Sequence, residues 1–265
     1  MINVFGELSR NVLTLIRKSY LKYPASFAYL FYDIIYYPEL TDAYINMAGN
    51  DIVGFILIFN GLRCTAVHVI GNVSNPINYI PPSKCLDILV NAEPKLVNQL
   101  VSRLSRSGYV EQRKFLTMIC SGSSFREFHV SDGYVIRRIM MKDLRELMRI
   151  KGEQGVQISE VEAIMRLLSP HWHYYGAFLN EELVSIATAY LKLPEIWIIG
   201  EVYTIPNHRN KGLAKAVTSA ITKDAINSGA MAMLHVYEEN QPAIQAYRRI
   251  GYVAIQQLIR IQYKS

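Results

Sequence analysis

Val202-Tyr203-Thr204-Ile205-Pro206-Asn207-His208-Arg209-Asn210-Lys211-Gly212-Leu213-Ala214 reads as the end of a strand, a proline, a short basic turn with one glycine, and the first turn of a helix. A turn that opens directly into a helix leaves several backbone N–H groups unpaired at the positive end of the helix dipole. That is the electrostatics of an anion site, suited to a pyrophosphate. Gly212 allows close backbone approach, Ala214 keeps the next turn free of bulk, and Arg209 and Lys211 add positive charge. Taken alone, such a turn is equally an ordinary connection carrying exposed basic residues.

Outward from this turn the pattern is regular. Residues 211–228 predict a helix with Leu213, Ala216, Val217, Ala220 and Ile221 on one stripe, ended by Gly229 in the left-handed conformation. Residues 196–205 and 231–237 read as the strands on either side. Asn240 is placed to cap a helix to Ile250 that Gly251 terminates, and residues 252–255 and 258–263 read as two closing strands. Upstream, residues 134–139 predict a strand, 141–151 and 160–168 helices, and 174–179 with 184–191 a hairpin across Asn180-Glu181-Glu182. The order is β-α-α-β-β-β-α-β-α-β-β.

Arg209-x-x-Gly212-x-Ala214 resembles the coenzyme A pyrophosphate loop of the GNAT superfamily of N-acetyltransferases, Gln/Arg-x-x-Gly-x-Gly/Ala. Further on, Asn240-x-x-Ala243-x-x-x-Tyr247-x-x-x-Gly251-Tyr252 resembles that superfamily's second signature, and the element order is also the GNAT order. The wording VYTIPNHRNKGLA and NQPAIQAYRRIGY is most similar to the predicted acetyltransferases grouped with the glycine acyltransferases. The resemblance covers residues 134–265.

It implies an α/β (α+β) fold with a mixed, mostly antiparallel sheet flanked by helices and splayed between the fourth and fifth strands, residues 196–205 and 231–237. Acetyl-CoA is then the co-substrate, with no metal. Its pantetheine arm runs along Val202, Tyr203 and Thr204, and its pyrophosphate sits on Arg209, Asn210, Lys211, Gly212, Leu213, Ala214 and Lys215. Asn240, Ala243 and Tyr247 complete the cofactor-binding set. The acyl group passes to a primary amine of a small molecule or peptide by direct attack through a tetrahedral intermediate, whose oxyanion a backbone N–H would hold. A homodimer is compatible with the resemblance.

Such transfer needs a base for the ammonium and an acid for the departing thiolate. By family position Tyr247 is the acid, although among 18 tyrosines it also reads as core beside Ala243 and Ile250. For the base, His235 occupies a strand end where a ribosomal-protein acetyltransferase branch places a glutamate. Glu201 is the other candidate; strand alternation puts it on the face of Tyr203, and a bulge would reverse that parity. A water chain is the third option. His171-Trp172-His173 and Tyr174-Tyr175 lack an acidic or thiol partner in the segment for a metal set. They read as a wall of the acceptor pocket or as packing.

The N-terminal half differs. Leu8, Val12, Ile16 and Tyr20 recur at helical spacing, and a second helical stretch runs from Pro24 to Tyr36. Residues 43–47, 52–59 and 65–70 predict an antiparallel meander turned at Gly49-Asn50-Asp51 and Asn60-Gly61, followed by a strand at 86–90, a helix at 94–105 and a strand at 109–119. This is either a degenerate second GNAT copy that walls the acceptor cleft or an unrelated α/β cap; residues 72–107 contain no glycine for a phosphate loop. The Ser- and Gly-rich stretch 121–133 separates an N-terminal domain, 1–125, from the GNAT domain, 134–265.

Composition excludes other classes. With 51% hydrophobic and 19% charged residues the chain has a full core. No apolar run approaches the ~20 residues of a membrane span, and the charged residues among the first twenty argue against a signal peptide. The net charge of +6 is scattered, without a nucleic-acid stripe. Cys64, Cys85 and Cys120 are odd in number and far apart, so they predict buried thiols in a reducing cytoplasm.

Overall fold

The computed structural model describes residues 1–5, 10–130 and 133–265. Leu8 of the first helical stripe and residues 131 and 132 of the proposed linker lie outside the described residues. Two compact units divide the chain: Met1–Leu116 with Tyr237–Glu239 and Gln256–Ser265, and Thr117–Val236 with Asn240–Ile255.

The first unit contains β1 (Ile2–Asn3), α1 (Arg10–Lys22), α2 (Pro24–Tyr36), β2 (Thr41–Ala48), β3 (Asp51–Phe59), β4 (Thr65–Gly71), β5 (Cys85–Asn91), α3 (Pro94–Leu104) and the start of β6 (Tyr109–Cys120). β1 to β4 form an antiparallel meander, with Gly49 at φ 61° in the turn between β2 and β3. β4 then pairs in parallel with β5 without interruption, Thr65 opposite Leu86 through Ile70 opposite Asn91. One core gathers Ile56, Ile58, Val67, Leu86, Ile88, Val97, Leu100 and Ile261.

That parallel register corrects the cysteine reading. Cys64 precedes Thr65 and Cys85 precedes Leu86, so pairing β4 with β5 brings the two thiols together, and they form a disulfide. Cys120 alone is free, and buried.

The second unit contains β7 (Val135–Arg138), α4 (Leu144–Glu153), α5 (Glu160–Leu168), β8 (His173–Leu179), β9 (Glu182–Lys192), β10 (Ile196–Thr204), α6 (Leu213–Asn227), β11 (Met231–Tyr237, as far as Val236), α7 (Gln241–Ile250) and the start of β12 (Val253–Lys264). Its strands lie in the order β6-β11-β10-β9-β8-β7. β8 and β9 turn at Asn180 and Glu181, both at positive φ, the two-residue turn that suits strand twist. α6 buries Leu213, Ala216, Val217, Ile221 and Ala225. Gly229, at φ 88°, follows its end, as the sequence requires. The two closing strands read from the sequence are one continuous strand, β12.

Candidate active site

β10 and β11 are parallel and pair only from Ile196 opposite Met231 to Ile199 opposite Leu234. Beyond those residues both strands continue without pairing to each other, which opens a notch in the sheet. The other edge of β10 stays on β9 but bulges there: Gly200 faces Thr188 and Tyr203 faces Ile186, so Glu201 and Val202 share the span of Ala187. Glu201 takes φ 52° in the bulge. For a residue with a Cβ that conformation costs about 1–2 kcal/mol, and a bulge at this point re-aims the strand as the notch opens.

The chain leaves Thr204, makes a 3-10 turn at Pro206–His208, and enters α6 at Leu213. The helix starts two residues later than the sequence suggests because Asn210 (φ 64°) and Gly212 (φ 81°) are both left-handed. No side chain caps α6, so the amides of its first turn are available to an anion. A Cβ added at Gly212 would lie 3.2 Å from the Phe128 ring. A side chain at Gly212 would crowd the Phe128 ring and strain a left-handed backbone, and the residues of the corner fit a pyrophosphate.

The other loop residues are held by the protein. Arg209 donates through Nε to the Thr204 carbonyl at 3.1 Å. Lys211 Nζ reaches the Tyr134 hydroxyl at 3.2 Å, and that hydroxyl lies 3.0 Å from His208 Nδ1. Lys215 Nζ stands 4.0 Å over the Phe128 ring, and burial, then the nearby Arg249, lowers its pKa. Leu213 is buried, so only its backbone faces the turn. Phe128 is fixed by its amide on Ser219 Oγ at 2.9 Å. The sequence gives little signal for this residue beyond an aromatic in a Ser- and Gly-rich stretch.

Asn240 Oδ1 accepts the Ala243 amide at 3.3 Å and caps α7, and Gly251, at φ 105°, ends it. This helix buries Tyr247, whose ring centroid lies 6.0 Å from that of Tyr252. Burial pushes the Tyr247 phenol up to about 12. The side chain is thus packed as core and also held protonated at neutral pH.

The two base candidates have different surroundings. His235 Nδ1 lies 3.1 Å from Thr117 Oγ1 on β6. Glu201 sits in a cluster that the sequence did not reveal: its Oε1 is 3.1 Å from Lys151 Nζ and 3.4 Å from Arg166, and its Oε2 accepts from Thr188 (3.2 Å) and Tyr174 (3.4 Å). Lys151 is fully buried, and desolvation lowers its pKa against the opposing pull of Glu201. The lysine and arginine come from α4 and α5, so no local signal in β10 announces them.

Trp172 belongs to the same neighbourhood, with the Arg166 guanidinium 4.4 Å over its ring. His173 instead meets Lys192 Nζ at 2.9 Å and the Trp197 ring edge-on at 5.3 Å. Burial first, then Lys192 and Arg138, lowers its pKa to about 4, so the imidazole stays neutral.

Residues 174–261 match the FR47-like protein family. No curated protein sequence matches the chain significantly. Among solved structures, a Drosophila protein superposes with a TM-score of 0.71 at 12% identity, covering 94% of both chains. A GCN5-related N-acetyltransferase from Sphaerobacter thermophilus gives 0.66 at 14% identity, over 96% of this chain and 91% of that one. A tandem GNAT protein from the clavulanic acid biosynthesis pathway gives 0.60 at 11% identity, over 96% of this chain and 94% of that one. The chain therefore has the GNAT fold, and its residues 174–261 are similar to the FR47-like protein family.

Proposed function

We propose that the second unit is an acetyl-CoA-dependent N-acyltransferase acting on a primary amine of a small molecule or peptide. The observation that carries this reading is the sequence of three features along one chain segment. A parallel strand pair opens after Ile199 and Leu234, β10 bulges at Glu201, and a left-handed Gly212 leads into an uncapped helix. The pyrophosphate would rest on the amides of Gly212, Leu213, Ala214 and Lys215, with Arg209, Asn210 and Lys211 beside it. The exposed edge of β10 at Val202, Tyr203 and Thr204 is free of β11 and suits the amides of a pantetheine arm.

In the reaction the amine nitrogen attacks the thioester carbon, the C–S bond breaks, and the sulfur takes the Tyr247 proton. The amine proton leaves through water, His235 or Glu201. Of these, Glu201 already receives two cations and two hydroxyls, which commit its lone pairs. That same commitment favours a second reading, an acyl-CoA-binding module without turnover. The glycine-acyltransferase wording supports a longer acyl group and an amino-acid acceptor as the variant of the enzyme reading. A cytoplasmic setting rests on the acyl-CoA supply, since the Cys64–Cys85 bond removes the argument from unpaired thiols.

Calorimetric titration with coenzyme A tests the assignment. Native protein should bind, and Gly212→Glu, which meets Phe128 and a positive φ and adds a like charge, should weaken binding about 100-fold or more. Equal affinity for both proteins removes the loop from the site. Release of free thiol across a panel of amines, amino acids and peptides separates the enzyme from the binding module.

A further inference from the structure

The first unit carries a cavity of its own, of about 300 Å³, between α3 and the segment that joins β4 to β5. That volume is at the lower end of the range for small-molecule sites, about 300–1,000 Å³. Its origin is topological. In the second unit the crossover between parallel strands is the fifteen-residue α6. In the first unit it is residues 72–84, whose regular structure is a single 3-10 turn, Pro76–Asn78. A short irregular strap covers the sheet face less completely than a helix, and the gap remains.

The floor is apolar: Leu86, Leu100 and Tyr263 are 2%, 2% and 5% exposed, and Ile80, Pro81 and Leu104 form the walls. The mouth is basic. Arg103 lines the cavity and also a wider surface depression that continues along α3 past Lys95 and Arg106. Lys95 and Arg103 on α3 and Arg106 in the turn after it line the same depression, and no acidic side chain lines either hollow. Among the described residues none of the three cations forms an ion pair. The strap is anchored where it meets the cavity. Ser83 Oγ donates to the Cys85 carbonyl at 2.9 Å, the Lys84 carbonyl accepts the Ser265 amide at 3.0 Å, and Cys85 is bonded to Cys64.

An apolar floor beneath unpaired arginines recognises both ends of an amphipathic anion. We propose that this cavity binds a medium-chain carboxylate, its chain over Leu86, Leu100 and Tyr263 and its head on Arg103 and Arg106. A neutral chain gains only the floor and a bare anion gains only the rim, so neither should match it. The site lies wholly within the first unit and does not depend on the acyltransferase reading of the second.

Calorimetry with decanoate, decanol and inorganic phosphate tests this on the full chain. Decanoate should bind saturably at one site per chain, at least about tenfold more tightly than either control. Arg103→Glu with Arg106→Glu should weaken decanoate about tenfold or more, and Leu104→Trp should block it by filling the cavity, with melting temperatures verifying that both variants fold. Because both arginines are exposed, Arg103 on α3 and Arg106 in the turn that follows it, the charge variant leaves the core intact. No saturable binding of decanoate overturns the proposal. So does undiminished binding by the folded charge variant, and so does decanol or phosphate binding as tightly as decanoate.

Discussion

Lys151 Nζ lies 3.1 Å from Glu201 Oε1, and the lysine side chain has no solvent exposure at all. Arg166 contacts the same oxygen at 3.4 Å. Deleting one partner of a buried ion pair leaves the other charge uncompensated, at a cost of about 3–5 kcal/mol. The lower end applies here because the glutamate side chain is 25% exposed. Glu201→Gln and Lys151→Met should each lower the melting temperature, and the double variant should lose less than the sum of the two. Strict additivity in that cycle would show that the pair is not coupled.

The same pair offers a test of the base. If Glu201 accepts the amine proton, Glu201→Gln should reduce kcat about 100-fold or more with coenzyme A affinity preserved. Turnover retained in the folded variant assigns the proton to His235 or to water.

Tyr247 is buried with its phenol pushed up to about 12, so it remains a proton donor through the neutral range. Tyr247→Phe should reduce kcat about 100-fold while coenzyme A affinity is preserved. Turnover equal to that of the native protein would leave the residue with a packing role only. If Tyr247 is the acid of the proposed reaction, it should impose no loss of rate on the alkaline side below about pH 10.

His68 and Asp33, both buried in the first unit, oppose each other in their effect on stability. Burial lowers His68 to about 4 from 6.5, so as pH falls below 6.5 the unfolded chain takes up the proton first and stability is lost. Burial raises Asp33 to about 7 from 3.8, so the folded chain holds that proton and stability falls as pH rises from 3.8 through 7. Asp33→Asn should therefore raise the melting temperature near pH 8 and steepen its decline on acidification; His68→Phe should flatten that decline. Melting curves between pH 4 and 8 check this, and a curve for Asp33→Asn parallel to the native one rejects it.

The Cys64–Cys85 bond closes a loop with a sequence separation of 21 residues. In the chain-entropy account a loop of that size stabilises by about 3 kcal/mol. Dithiothreitol, or Cys64→Ser with Cys85→Ser, should lower the unfolding free energy by a similar amount. Chain unfolded without reductant should titrate one thiol, Cys120, and three after reduction. Three thiols before reduction would exclude the bond.

Residues a few positions apart determined much of this protein. Asn240 caps α7 by bonding Ala243, Gly251 and Gly229 follow helix ends, and Asn180-Glu181 makes a two-residue turn. Such features depend on φ/ψ preference and on hydrogen bonds within one turn, which a linear sequence displays directly. The left-handed turn at Gly212 is legible for the same reason, and with α7's signature it carries the GNAT resemblance. Tertiary structure alone decided that Cys64 meets Cys85, that Phe128 closes against Gly212, and that Glu201 turns left-handed between Lys151 and Arg166. Those pairings join residues from separate elements, and their geometry follows from strand register and from burying the whole core at once. No short window of sequence contains that information.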